Sequence, residues 1–393
     1  MPERLKKYLK GDPVLWGVVI ALMVFSMLAV FSSTKTLAYQ YRGGNSLYYW
    51  FRHAFFLFFG FITIYFVHRI HYRYFSKLSQ LLLYLSVPLL AVTLLFGATI
   101  NQASRWLEVP GLGVTFQTSD LAKVVLIMFL ARMLSLRQET IKTYRQGFLP
   151  LVVPVLVVCS LIMPANLSTA VILFVVSLVL MFIGRVRFVY ILGLSGLSAG
   201  IVVVLVLFAL NSDWEGRWGT WRNRVVNFIE TDDVGDENYQ ADQSKIAIVT
   251  GGFFGKGPGN SMQRDFLPHP YSDFIFAIIL EEYGFWGGML VIFLYLYLLY
   301  RAGVIVGQST RTFQAFLAFG LALMLVMQAL VNMAVAVGLV PVTGQPLPLI
   351  SMGGTSMLFT AAAFGMILSV SRCIDEDKKL KAQTVTETTD EKQ

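Results

Sequence analysis

Apolar runs about 20 residues long recur along almost the whole chain, and they limit what it can fold into. A hydrocarbon core needs roughly 20 apolar residues per helical crossing. These runs fall at residues 14–33, 47–67, 79–99, 119–136, 148–164, 167–184, 188–210, 272–300, 311–338 and 351–371. The expected fold is all-α: a polytopic integral membrane protein with about 10 transmembrane helices and one long extracytoplasmic loop, 211–271, between helices 7 and 8. With 56% hydrophobic and 14% charged residues, an ordinary soluble domain is excluded. The first run, Val14 to Phe31, is too long for the apolar region of a secretory signal and lacks a small-residue cleavage site, so it is expected to stay as the first span.

Charge sets the expected orientation. With the N-terminus inside, Lys and Arg collect in the cytoplasmic segments, for example Arg4, Lys6, Lys7 and Lys10, then Arg69, Arg73 and Lys77, then Arg132, Arg137, Lys142 and Arg145. The short external loops hold only Lys35, Arg42 and Arg105. That bias is the positive-inside pattern, from which the long loop is exempt. Both termini are therefore expected in the cytoplasm. Residues 1–13 form an N-terminal tail, 14–371 a single membrane domain, and 372–393 a charged, Thr-rich, disordered tail. The net charge of +8 is dispersed between spans rather than gathered in a stripe, so it argues for topology and not for nucleic acid. Cys159 and Cys373 support neither a disulfide framework nor a metal site. His53, His68, His71 and His269 show no metal-ligand spacing. No internal repeat is visible, which weakens an inverted-repeat transporter.

On this topology Arg105, Asp120, Lys123, Asn166, Asp273 and the Gly/Pro-rich stretch Pro341 to Thr355 gather at the outer membrane surface. Ionisable groups in membrane helices are costly and usually face a cavity or one another. Asp120 and Lys123 stand at i, i+3 on one helix face, which suits either a structural salt bridge or a binding group. Asp273 follows Leu267-Pro268-His269-Pro270-Tyr271-Ser272 and precedes an apolar helix, so it can cap that helix or act as a general base. Glu281 and Glu282 lie about two turns deeper, where packing or a polar cavity suits them better than contact with an incoming sugar.

In the long loop Trp214, Trp218, Trp221, Val225 and Phe228 recur at helical spacing with Arg217, Arg222 and Arg224 between them. This pattern predicts an amphipathic interfacial helix, either a surface anchor or a guide for anionic lipid. Gly251 to Gly257 lacks the spacing of a nucleotide-binding loop, although its backbone N–H groups could touch a pyrophosphate. No nucleotide site is expected.

Two stretches resemble the SEDS family (shape, elongation, division and sporulation). One is GGFFGKGPGNSMQRDFLPHPYSDFIFAIILEEYGFWGG, Gly251 to Gly288; the other is GLVPVTGQPLPLISMGGTS, Gly338 to Ser356. The resemblance spans essentially the whole chain, and Gly259-Asn260-Ser261 is closer to the division branch than to the elongation branch. It implies a membrane glycosyltransferase that polymerises lipid II into peptidoglycan strands at the outer face of the bacterial inner membrane, with septal synthesis as the expected role. By resemblance Asp273 is the catalytic base. Substrate and pyrophosphate binding is expected of Lys123, Arg105, Asp120, Lys256, Arg217, Arg222 and Arg224; cavity or structural support is expected of Glu281, Glu282, Gln243, Lys245, Ser351 and Thr355. Two departures stand out. Asp120 replaces the family's usual Glu, and in Met163-Pro164-Ala165-Asn166-Leu167-Ser168-Thr169 an acid is replaced by Asn166, which is given no charge-based role.

The implied chemistry is attack of an acceptor GlcNAc 4-hydroxyl, deprotonated by Asp273, on the anomeric carbon of lipid-linked MurNAc, with inversion and loss of undecaprenyl pyrophosphate. Cationic side chains or a divalent ion, Mg2+ or Mn2+, would stabilise the leaving group. The implied partners are lipid II, a class B penicillin-binding protein and membrane proteins of the division or elongation complex. A lipid II flippase and a non-catalytic division scaffold stand as the alternatives.

Overall fold

A computed structural model describes residues 8–100, 103–109, 114–210, 236–267 and 270–390. All ten expected apolar segments are helices: α1 (Pro13–Ser33), α3 (Ser46–Arg69), α4 (Tyr72–Phe96), α5 (Thr118–Leu136), α6 (Leu149–Ile162), α7 (Leu167–Ile183), α8 (Phe188–Leu210), α10 (Ile275–Gln308), α11 (Thr312–Ala336) and α12 (Ser356–Asp390). Among the described residues seven are long and apolar enough to cross a membrane, counting α6 with the π-helical turn Tyr144–Phe148 before it. α5 falls outside that group because Asp120, Lys123 and Arg132 share its 19 residues, and α7 because it has 17. Local signals place the ends. Asp12 caps α1, accepting from the N–H groups of Val14 (2.8 Å) and Leu15 (3.3 Å), with Pro13 at the first helical position. α4 starts seven residues before the expected apolar run because His71 accepts from the N–H of Arg73 while Tyr72 and Phe75 are buried.

Four features lie outside that reading. A short helix α2 (Lys35–Arg42) links α1 to α3, and strands β1 (Ala98–Ile100), β2 (Ala103–Val109) and β3 (Val114–Gln117) form an antiparallel sheet before α5. The expected long loop contains α9 (Asp236–Gly251), packed on α10. The C-terminal segment, expected to be disordered after Arg372, is helical to Asp390. Cys373 and Ile374 are buried, Lys378 Nζ donates to Gln308 Oε1 (2.8 Å), and Lys10 pairs with Glu376 (3.6 Å), so tertiary contacts hold residues whose composition alone suggests a tail. The segment expected to form the Trp-rich interfacial helix, with Arg217, Arg222 and Arg224, lies outside the described residues.

α5 and α11 form the centre. α11 packs against α10, α5, α12 and α7, while α3 lies along α12 and α4 along α5. At one end of the bundle Asp12 forms an ion pair with Arg301 of α10, and its N–H donates to Ser371 Oγ of α12 (2.8 Å), tying three segments together.

α10 breaks at Gly284 (φ 66°, ψ −165°), and the Gly-rich segment runs against the break. Lys256 N–H donates to the Glu281 carbonyl, Gly257 N–H to the Glu282 carbonyl and Phe285 N–H to the Gly252 carbonyl, each at 2.9 Å. A Cβ on Gly284 would sit 2.5 Å from Gly255 N, and one on Gly255 2.2 Å from the Glu282 oxygen. The glycines are there because two backbones touch. Positive φ of this kind costs a non-glycine residue about 1–3 kcal/mol before any clash. Gly284→Ala is therefore expected to lower the thermal midpoint of the detergent-solubilised protein by several degrees or more; an unchanged midpoint would show that the contact contributes nothing.

Candidate active site

At the other end of the bundle lies a cavity of about 500 Å3, within the usual range for small-molecule sites. Its walls come from Leu37 of α2; Tyr49, Arg52 and Phe56 of α3; Trp106, Thr115, Gln117 and Asp120 of the sheet and α5; Asn166 at the start of α7; and two irregular segments, Tyr271–Asp273 before α10 and Gly344–Ser356 leading into α12.

The irregular segments face each other and are stitched together. Ser351 Oγ donates to the Ser272 carbonyl (2.6 Å) and accepts from Leu347 N–H (2.8 Å), and Met352 N–H donates to the Tyr271 carbonyl (3.0 Å). Asn332 of α11 donates through its amide nitrogen to the Asp273 carbonyl (2.8 Å) and the Gln345 carbonyl (2.7 Å). The Gln345 amide in turn donates to Asn166 Oδ1 (3.1 Å) and Thr169 Oγ1 (2.8 Å). Thr355 Oγ1 closes the far side by donating to the Thr115 carbonyl (2.7 Å).

Asp273 is half-buried on the cavity wall, its Oδ1 accepting from Ser272 Oγ (2.8 Å). It is not the helix cap: the N-cap of α10 is Phe274, with no side-chain capping bond. Asp120 is buried beside the same cavity and forms an ion pair with Lys123 (2.8 Å), whose ammonium also donates to Gln328 Oε1 (3.1 Å); Gln328 donates to the Pro346 carbonyl (2.9 Å). The pair is thus built into the loop's support as well as into the wall.

Comparison with known proteins sets this site in a family. Residues 12–376 match the model of the cell cycle protein family that joins FtsW, RodA and SpoVE. The chain belongs to the SEDS family. It is 33% identical over 377 residues to the probable peptidoglycan glycosyltransferase FtsW of Trichlorobacter lovleyi, covering 94% of each chain. It is 33% identical over 374 residues to stage V sporulation protein E of Bacillus subtilis, covering 92% of this chain and 98% of that one. Among solved structures it is similar to the rod shape determining protein RodA of Thermus thermophilus (TM-score 0.68, 26% identity, covering 93% of this chain and 98% of that one). It is also similar to a chain from a structure described as the structural coordination of polymerization and crosslinking by a peptidoglycan synthase complex (TM-score 0.73, 25% identity, covering 93% and 98%).

The residues of this SEDS protein that its sequence singles out divide into three groups. Asp273, Asp120 and Thr355 line the cavity, and Ser351 supports the segment that carries Asp273. Lys123 stands behind Asp120 and does not line the wall. Lys256, Glu281, Glu282, Gln243 and Lys245 lie away from the cavity. Lys256 is held by Glu281 (2.6 Å) rather than offered to a pyrophosphate, because the carboxylate is buried and needs a cation. Glu281 also accepts from Ser261 Oγ (2.5 Å) and the N–H groups of Met262 (3.0 Å) and Gln263 (3.2 Å); Glu282 accepts from Ser261 N–H (3.1 Å) and Ser32 Oγ. The two glutamates clamp the segment before Asp273 and do not line this cavity. The backbone N–H groups of Gly255, Lys256 and Gly257, considered for pyrophosphate contact, are spent on backbone carbonyls. Lys245 pairs with Asp242 (3.1 Å) and lies against Gly338, on the outside of α9. Arg105 belongs to β2 by its backbone, and its side chain lies outside the described residues; its neighbour Trp106 lines the cavity.

Sequence reasoning missed Arg52, which among the described residues is the only cation lining the cavity. The signal was available: Arg52 stands inside the apolar run of α3, where an intramembrane charge marks a functional site. It also missed Asn332 and Gln345, since neutral amides give no charge signal. Removing a buried amide that serves two carbonyls leaves both unsatisfied, at about 1–3 kcal/mol for each. Asn332→Leu is expected to lower the thermal midpoint clearly, whereas a midpoint equal to the parent's would mean that these bonds do not hold the two segments.

Proposed function

We propose that this cavity is the site where the protein polymerises lipid II, on the extracytoplasmic face of the bacterial inner membrane, for septal cell-wall synthesis. The relatives named as peptidoglycan glycosyltransferases match over nearly their full length, and the observation that carries the assignment is the placement of Asp273 and Arg52 on one cavity wall system. The chain is an inverting glycosyltransferase in this scheme, and its donor is activated by a lipid diphosphate, not by a nucleotide.

The acceptor's GlcNAc 4-hydroxyl gives its proton to the Asp273 carboxylate as its oxygen attacks the anomeric carbon of the donor's MurNAc. The bond to the diphosphate oxygen breaks on the opposite face, and undecaprenyl pyrophosphate leaves with the bonding electrons. Asn332 holds the Asp273 backbone while Ser272 donates to its carboxylate, so the base is oriented before substrate arrives. Arg52 faces the negative charge that grows on the leaving group.

The described residues do not assemble a divalent-ion site. No three His, Cys, Asp or Glu residues converge, and the Lys123 ammonium 2.8 Å from Asp120 repels a cation there. A Mg2+ or Mn2+ ion in this scheme is a ligand of the diphosphate, and no step is assigned to it. Positive charge near Lys10, Arg69 and Arg372, at the end opposite the cavity, supports a cytoplasmic position for both termini. A class B penicillin-binding protein is the partner that fits, because the structural neighbour comes from a complex of polymerization and crosslinking. Division-complex membrane proteins are proposed alongside it.

Reconstitution in liposomes with labelled lipid II tests the scheme. Asp273→Asn should lower polymerisation by about 100-fold or more, the range for loss of a general base, with folding unchanged. Arg52→Ala should raise the KM for lipid II by about tenfold, the scale of a charged hydrogen bond. Transfer of lipid II between leaflets without glycan chains would establish the flippase alternative, and neither activity would leave a scaffold. A fully active Asp273→Asn protein excludes Asp273 as the base.

A further inference from the structure

Asn166, the N-cap of α7, and Asp120 of α5 both line the cavity, and α7 and α5 pack against each other; Arg52 stands on α3, which packs against α1, α2 and α12. Both are more than nine-tenths buried, at 5% and 4% exposure. Asn166 Oδ1 accepts from the backbone N–H of Thr169 (3.2 Å) and from Gln345 Nε2 (3.1 Å). A backbone N–H can only donate, so it fixes which end of the Asn166 amide is oxygen. The amide nitrogen takes no part in either bond. Asp120 Oδ1 holds Lys123, and its Oδ2 has no hydrogen-bond partner among the described residues. A buried acceptor left in that state calls for a donor from outside the protein.

A phosphate oxygen at neutral pH only accepts, and a carboxylate oxygen repels it. A sugar hydroxyl or acetamido group both donates and accepts. One unused donor and one unused acceptor on residues lining the same cavity therefore match the neutral sugar rather than the diphosphate. We propose that Asp120 and Asn166 form a sugar-reading pair: Asp120 Oδ2 accepts from a hydroxyl or acetamido N–H, and the Asn166 amide donates to a sugar oxygen. This rests on the cavity being the lipid II site and divides it into a sugar wall and, at Arg52, a diphosphate wall. It also gives a reason for Asn where the family pattern has an acid. An aspartate there would keep the acceptor but lose the donor and add a further carboxylate beside Asp120.

Asn166→Asp separates the two roles that Asn166 can have. Aspartate caps a helix as well as asparagine does and suits the helix N-terminus, so a purely structural role leaves KM at the parent value. The sugar-reading role predicts a folded protein with a KM for labelled lipid II raised about tenfold. Inhibition by a polyprenyl diphosphate that lacks sugar should then be unchanged. Should Asn166→Asp fold poorly, Asn166→Ser, which keeps a capping oxygen and removes the amide donor, should show the same rise in KM. A parent-like KM in a folded variant overturns the pair, and so does a matching loss of inhibition by the sugarless diphosphate. Asp273→Asn runs as the control: if it polymerises normally, the proposed reaction with Asp273 as base falls; if it is silent while Asn166→Asp keeps the parent KM, only the sugar-reading pair falls.

Discussion

The two hydrogen bonds from the Asn332 amide, to the carbonyls of Asp273 and Gln345, make the cavity possible. Irregular backbone within a membrane protein survives only where its polar groups find partners or line an aqueous space. The segments Tyr271–Asp273 and Gly344–Ser356 meet both conditions. Asn332, Ser351 and Met352 supply the partners, and the cavity supplies the space. Asn332 lies on α11, one of the two helices at the centre of the bundle, so the position of Asp273 is referred to a buried element of the fold.

A second anchor acts from the opposite side of Asp273. The break at Gly284 lets the Gly251–Gly257 backbone run against α10, and Glu281 and Glu282 then hold the following turn through Lys256, Ser261, Met262 and Gln263. Two buried carboxylates would destabilise a helix core on their own. With an ammonium, hydroxyls and backbone N–H groups around them they become a rigid mount for the chain that leads into Asp273. The electrostatics of the cavity follow from the same economy. Asp120 is neutralised by Lys123 from behind, which leaves Arg52 as the described cation on the wall.

The spans were legible because continuous apolar length is a direct physical requirement of lipid, and every expected run is a helix. Asp273 and Asp120 were legible because a charge in a membrane segment is conspicuous. What escaped the sequence depends on tertiary contact. Lys256 looks free until Glu281, 25 residues on, closes over it, and the charged tail looks disordered until Gln308 and Lys10 meet it. Asp273 precedes an apolar run and so resembles a helix cap, yet the turn continues one residue further and Phe274 takes that place. Neutral amides such as Asn332 and Gln345 carry no sequence signal at all, although the cavity is built on them. Arg52 is different: its signal was present in the apolar run of α3 and went unused.

Fold, cavity and reaction meet where the sugars of lipid II sit, between the Asp273 segment and the Gly344–Ser356 segment. Photo-crosslinking addresses that claim most directly, using lipid II with a diazirine on its disaccharide and peptide mapping of the reconstituted protein. Attachment to residues 270–274 and 344–356 is the predicted result. Attachment confined to the other end of the bundle, around Arg301 and Arg372, would contradict it.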